Sequence, residues 1–256
     1  MGMFDLNGRI ALVTGGSRGL GLQIAAGIVE AGGKVVLTAR KQHELDEAAD
    51  HIRSLGGEVA TLACDLQDLE GIEAVAAGAI DAFGTVDMLV NNAGASWGAP
   101  AEEHPLEAWN KVMNLNVTAP FLLTQAIGKK VMIPNRSGKI LNIASIAGLA
   151  GNPPELGMNT IAYNTSKAAV INFTRTLAAE WGKYNININA LCPGFFPSKM
   201  THGLLSNISE KLIDATPLGR LGGDEDLKGP AVFFLSDAAR HVTGQWLAVD
   251  GGGSAC

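Results

Sequence analysis

The chain has 256 residues, with 25 acidic against 19 basic side chains, a net charge of −6 and 47% hydrophobic content. That charge disfavours broad attraction to nucleic acid or an anionic membrane. The 32 glycines, well above the usual share of about 7%, come without the Gly-X-Y period of collagen and with only 10 prolines. Three cysteines, Cys64, Cys192 and Cys256, make neither an even disulfide set nor a CxxC metal pair. No apolar run reaches the roughly 18 residues of a membrane helix, and no basic-then-apolar leader opens the chain. A reducing, cytoplasmic setting is the expectation.

Strands are expected at 10–14, 34–39, 58–63, 86–91, 138–144, 186–191 and 246–249, and helices at 18–31, 41–55, 68–82, 106–131, 160–182 and 225–236. The strand runs are short, β-branched and apolar on both faces, as in parallel strands covered on two sides. Their alternation with helical periods predicts one α/β domain, 1–256, built on a doubly wound parallel sheet of about seven strands with helices on both faces.

The first strand runs into Thr14-Gly-Gly-Ser-Arg-Gly-Leu-Gly21 and then straight into a helix. Gly15 permits the sharp exit, Gly19 lets backbone approach a pyrophosphate, and Gly21 lets helix pack on strand. The second strand ends Leu37-Thr38-Ala39-Arg40. Where an NAD-selective site carries an acid for the ribose hydroxyls there is Ala39, followed by Arg40. With Arg18 in the glycine turn, two guanidiniums are placed to converge on a 2′-phosphate. After the third strand Asp65 either accepts from an adenine amino group or caps the helix starting near Asp68. The fourth strand ends Asn91-Asn92-Ala93-Gly94, small residues on which a flat cofactor can lie while the amides brace the strand.

Asn116 lies inside the helix expected at 106–131, where an interior Asn can kink the helix and hold a water. Ser145 closes the fifth strand, its hydroxyl able to polarise a carbonyl. Residues 146–159 contain adjacent prolines and cannot be regular helix. In Tyr163-Asn-Thr-Ser-Lys167 the lysine follows the tyrosine by one helical turn on the same face. A cation about 5 Å from the phenol favours phenolate by roughly 3 kcal/mol, about two pKa units, which moves Tyr163 toward efficient acid–base work. Residues 195–222, after Pro193-Gly194, are irregular apart from a helical period at 203–214. Like 146–159 they follow a strand C-terminus, where ligands bind in open α/β sheets.

Taken together, the glycine turn, Asn91-Asn92-Ala93-Gly94, Asn116, Ser145, Tyr163-x-x-x-Lys167 and Pro193-Gly194 resemble the classical short-chain dehydrogenases/reductases over essentially the whole chain. The resemblance implies a catalytic tetrad of Asn116, Ser145, Tyr163 and Lys167. Tyr163 would exchange the proton, Ser145 orient substrate, Lys167 lower the phenol pKa and bind the nicotinamide ribose, and Asn116 hold a relay water. It implies NADP(H) as cofactor, with further contacts from Ser17, Leu20, Leu66 and Tyr163, and with Phe196 and Ser198 on the nicotinamide carboxamide. It also implies a homotetramer or homodimer paired through the helices at 106–131 and 160–182. One departure stands out: Ser145 and Tyr163 are 18 positions apart, more than the family's usual spacing, with the extra residues around 151–158.

The segment from Gly194 to Thr201 resembles that of bacterial 3-oxoacyl reductases, including those for rhamnolipid precursors; similar chains are gluconate 5-dehydrogenases. Candidate pocket residues are Ser96, Trp97, Leu149, Asn152, Pro153, Phe195 and Met200. Their apolar character ranks NADPH-dependent reduction of a 3-oxoacyl thioester or related ketone first, and oxidation of a sugar acid, whose carboxylate would have only Lys199 to pair with, second. A catalytically idle NADP(H)-binding sensor or assembly subunit is the rival of another class, and the complete tetrad argues against it. The five histidines share no metal-ligand spacing with one another or with the cysteines, so no metal is expected.

Overall fold

The computed structural model describes residues 2–197 and 209–255. Strands β1 (Ile10–Thr14), β2 (Lys34–Ala39), β3 (Val59–Ala63), β4 (Met88–Asn91), β5 (Gly138–Ile143), β6 (Ile186–Pro193) and β7 (Trp246–Val249) form one parallel sheet in the order β3-β2-β1-β4-β5-β6-β7. This is the doubly wound Rossmann-type architecture expected. β6 runs two residues past its expected end because Cys192 and Pro193 still pair with Ala248 and Val249 of β7.

The two-faced apolar strands have a direct cause. In β1, Ala11 and Val13 enter a core with Ile24 and Ile28 of α1 (Gly19–Glu30), Leu45 of α2 (Gln42–Ser54) and Leu235. Ile10 and Leu12 enter the opposite core with Ile72 and Val75 of α3 (Ile72–Phe83), Leu123 and Ile127. Period-2 alternation therefore feeds two hydrophobic layers.

α3 starts four residues later than expected. Asp65 and Asp68 instead close short turns, accepting from the Gln67 N–H at 3.0 Å and the Gly71 N–H at 3.3 Å, side-chain bonds that compete with helix. The helix expected at 106–131, here α4, runs over 106–135 and is widened twice. Leu106–Met113 leads into a π turn at Asn114–Thr118, and Ala119–Ile127 into a second at Gly128–Met132, before Ile133–Asn135. Pro120 and Pro134 each stand just beyond a π turn. Proline has no N–H and its ring collides with the carbonyl four residues back, and the wider turn relieves both problems. Pro120 thereby deprives the Asn116 carbonyl of its ordinary i+4 donor. α5 (Ile161–Trp181) buries Ala162, Ser166, Lys167, Val170, Ile171, Thr174 and Ala178 against the sheet. α6 (Lys228–Leu235) packs beside α1, and of the period expected at 203–214, residues 209–214 are helical. No helix among the described residues is long and apolar enough to cross a membrane.

A buried polar ladder ties β4, β5, α4 and α5 together beneath the cleft. Asn91 Nδ2 donates to Asn142 Oδ1 at 2.9 Å and Thr124 Oγ1 at 3.1 Å, and Asn142 Nδ2 donates to Thr174 Oγ1 at 2.9 Å. Asn142 is fully buried, so Asn142→Ala strands polar groups on both sides. The expected cost is about 3 kcal/mol, or roughly 10 °C in Tm for a domain of this size. A melt unchanged within about 2 °C would show that the ladder contributes nothing.

Candidate active site

The strand order reverses between β1 and β4, and the crevice there, over the strand C-termini, is where open α/β sheets bind ligands. A cleft of about 810 Å³ occupies it, running from Arg18, Arg40 and Asp65 at one end to Ser145, Tyr163 and Lys167 at the other. Its floor is built by close approach. Gly15 and Gly19 have φ of +63° and +54°, the left-handed region that glycine alone takes without strain. A Cβ on Gly21 would sit 2.4 Å from both the Gly15 carbonyl oxygen and Asn92 Nδ2. Asn92 Nδ2 donates to the Thr14 and Gly15 carbonyls at 2.9 and 3.1 Å, and Thr14 Oγ1 accepts from the N–H groups of Asn92 and Ala93 at 2.9 and 3.0 Å. β1 and β4 are thus clamped edge to edge, leaving the α1 N-terminus and its unpaired N–H groups facing the crevice. A glycine cradle at a helix N-terminus, flanked by guanidiniums, fits the diphosphate of a dinucleotide.

At the cationic end Arg18, which precedes α1, points across to α2. Its Nη1 lies 2.8 Å from Glu44 Oε1, and Lys41 Nζ lies 3.3 Å from the same oxygen. Arg40 is exposed on the cleft wall. Arg18 and Arg40 therefore line one pocket, but Arg18 arrives already holding an acid that sequence reasoning missed. Asp65 also lines the cleft, with Oδ1 engaged by Gln67.

At the other end Ser145, in extended backbone after β5, accepts the Ala147 N–H at 3.1 Å and caps the short turn Ile146–Gly148. With that lone pair used, its own O–H is directed at the Tyr163 phenol at the mouth of the cleft. Tyr163 and Lys167 stand one turn apart on α5, with Lys167 Nζ 5.5 Å from the Tyr163 ring centroid. Lys167 Nζ donates to the Ile143 carbonyl at 2.7 Å, and burial pushes its ammonium down to about 8. Burial pushes the Tyr163 phenol up from its ordinary value, and the hydrogen bond from Ser145 pulls the other way. This corrects the expectation that the lysine dominates the phenol. The spacing puts the cation close, but both groups are desolvated and the ammonium is engaged at Ile143.

Asn116 sits in the first π turn, buried. Its Oδ1 accepts the Ala95 N–H at 2.8 Å, and its Nδ2 donates to the Ala95 carbonyl and Ser166 Oγ, both at 2.9 Å. Both amide hydrogens are committed, so the side chain pins the loop after β4 to α5. Its backbone carbonyl stands four residues before Pro120, which has no N–H to give it. Gly94 lies beside it, since a Cβ there would be 3.2 Å from Asn116 Oδ1 and 3.7 Å from Lys167 Nζ.

Of the other expected residues, Ser17, Gly19, Leu20, Leu66, Asn92, Ala93, Gly94, Ser96, Trp97, Pro193, Gly194 and Phe196 line the cleft. Four pocket expectations are corrected. Leu149 packs on Ala144, Val170, Ile171 and Cys192. Asn152 donates to the Met158 carbonyl at 2.8 Å and Thr160 Oγ1 at 2.9 Å and accepts from Asn164 at 3.1 Å, so the inserted segment is stapled to the start of α5, and Pro153 is exposed on it. Phe195 lines a neighbouring cavity of about 430 Å³ with residues such as Thr216, Leu218 and Val249. Ser198, Lys199 and Met200 lie outside the described residues.

Residues 9–209 match the family model described as short chain dehydrogenase. The chain is 39% identical over 251 residues to the 2-dehydro-3-deoxy-D-gluconate 5-dehydrogenase of Dickeya dadantii (strain 3937), covering 97% of this chain and 96% of that one. It is 37% identical over 254 residues to the rhamnolipids biosynthesis 3-oxoacyl-[acyl-carrier-protein] reductase of Pseudomonas aeruginosa, covering 97% of each. A crystal structure of a gluconate 5-dehydrogenase from Burkholderia cenocepacia J2315, in complex with NADP and tartrate, superposes with a TM-score of 0.92 at 33% identity, over 99% of this chain and 98% of that one. The chain belongs to the short-chain dehydrogenases and is an oxidoreductase acting on CH–OH groups.

Proposed function

We propose that the chain interconverts a ketone and a secondary alcohol with NADP(H), Tyr163 delivering or removing the proton. The carrying observation is the convergence of Ser145, Tyr163 and Lys167 on one end of a cleft whose other end is a glycine cradle flanked by arginines. When bound, the nicotinamide supplies or takes the hydride. Gly15, Ser17, Gly19 and Leu20 hold the diphosphate, and Arg18 and Arg40 the 2′-phosphate. Asp65 and Leu66 flank the adenine, while Asn92, Ala93 and Gly94 form the floor. Gly21 keeps α1 against that floor, Lys167 takes the nicotinamide ribose, and Pro193, Gly194 and Phe196 back the ring. Ser145 donates to the substrate oxygen and fixes its place, and Tyr163 gives that oxygen its proton. The Asn116 carbonyl holds a water through which the proton is replaced from solvent.

The raised phenol and lowered ammonium fix the sign of the pH dependence. Reduction needs protonated Tyr163, which the raised value keeps available through the neutral range, so reduction is flat there and falls only in alkali. Oxidation needs phenolate, so its kcat climbs with pH from neutrality, at most about tenfold per unit. Equal pH profiles in the two directions would remove Tyr163 from the proton transfer.

For substrate, Trp97, Pro193 and Phe196 on the cleft wall favour a 3-oxoacyl thioester or related ketone, while Ser96 and Lys111 line the same cleft. The sugar-acid reading is supported by the Dickeya relative's name and the NADP–tartrate complex. NADPH oxidation with a short 3-oxoacyl thioester, set beside NADP reduction with gluconate, separates them, and turnover with gluconate alone ends the acyl reading. Leu106, Phe121 and Ile161 are exposed on the outer faces of α4 and α5, supporting a homo-oligomer paired there. Light scattering on Phe121→Glu should then report a smaller species.

A further inference from the structure

We infer that Glu44 tunes cofactor preference by acting as an internal anion in competition with the 2′-phosphate: it holds Arg18, one of the two guanidiniums assigned to that phosphate, and so weakens NADP(H) relative to NAD(H). The inference rests on reading the cleft as an NADP(H) site. Glu44 lies in the first turn of α2, where an acid suits the helix dipole and pairs with Lys41 at i, i+3. Those roles are met by a solvated side chain. Glu44 is instead only 18% exposed and lines the cleft with Arg18, Thr38, Arg40 and Lys41. A single carboxylate oxygen is shared by Arg18, from the glycine turn, and Lys41, from the end of the β2 loop. Two cations from separate elements meeting on one anion is the arrangement a phosphate would itself impose.

A dianionic phosphate taking Arg18 and Arg40 must displace the carboxylate from Arg18 and then lie beside it. A ribose 2′-hydroxyl meets no such repulsion and can donate to the carboxylate, as it does to the acid usually found after the second strand. Glu44 thus supplies from α2 part of what Ala39 withholds.

The test compares the binding of 2′,5′-ADP and 5′-ADP, by calorimetry at one fixed salt concentration, to the wild type and to Glu44→Gln, which keeps the side chain's size and removes its charge. The expected result is that 2′,5′-ADP tightens about five- to tenfold in the variant, 0.9–1.4 kcal/mol, while 5′-ADP holds or weakens. An unchanged preference in the variant, or one shifted toward 5′-ADP, overturns the inference, the latter because Glu44 would then be posing Arg18 for the phosphate. If neither protein prefers 2′,5′-ADP, the NADP(H) reading falls as well. If the wild type prefers it and the variant is unchanged, that reading stands and the inference alone falls.

Discussion

Tyr163→Phe is expected to lower kcat by about a thousandfold in either direction, the usual scale of a positioned general acid–base, with NADPH affinity within about twofold of wild type. The substitution removes one oxygen from a side chain at the cleft wall and leaves the ring packed. Ser145 keeps its bond from Ala147 and Lys167 its bond to Ile143, so the surroundings lose the proton carrier and the single hydrogen bond that Ser145 shares with it. Parallel loss of turnover and of NADPH binding would instead make Tyr163 a structural support of the cofactor pocket.

Gly148→Ala is expected to be nearly as damaging, although it touches no substrate. A Cβ on Gly148 would stand 2.6 Å from the Lys167 carbonyl carbon, 2.7 Å from the Ala168 nitrogen and 2.8 Å from the Lys167 carbonyl oxygen. These are helix backbone atoms that cannot swing aside, so the Ile146–Gly148 turn must lift off α5. That turn is capped by the Ser145 hydroxyl, and lifting it carries Ser145 away from Tyr163. A displacement of about 1 Å costs on the order of a hundredfold in rate, and overpacking about 1–3 kcal/mol in stability. Binding of 2′,5′-ADP, at the far end of the cleft, should be unaffected. Wild-type kcat in this variant would show that the distance between the Ser145 turn and α5 has no role in the reaction.

Much of this was legible from residues alone. Strands with no polar face imply a sheet covered on both sides. A glycine turn between the first strand and first helix implies the crevice, and Tyr163 and Lys167 at one-turn spacing lie where that spacing puts them. The failures are also physical. Pro120 and Pro134 inside a helical run were a visible signal of widened turns, but an apolar period looks the same whether a helix is α or locally π. Spacing placed a cation near the phenol without revealing that both are desolvated. Leu149, Asn152 and Phe195 were assigned to the pocket by their place after strand ends, yet side chains in irregular segments choose among several neighbours. Asn152 found partners within its own insertion, and Leu149 and Phe195 found other apolar surfaces. Glu44 was hidden because one acid on a helix gives no sign of which way it points.

The most direct test of the central claim is a single turnover with enzyme-bound NADPH and ketone, following nicotinamide fluorescence for binding and absorbance for oxidation, in wild type and Tyr163→Phe. The account predicts equal bound NADPH in both, with oxidation in the wild type and essentially none in the variant over the same interval. Equal oxidation in both, or a variant that no longer binds NADPH, would contradict it.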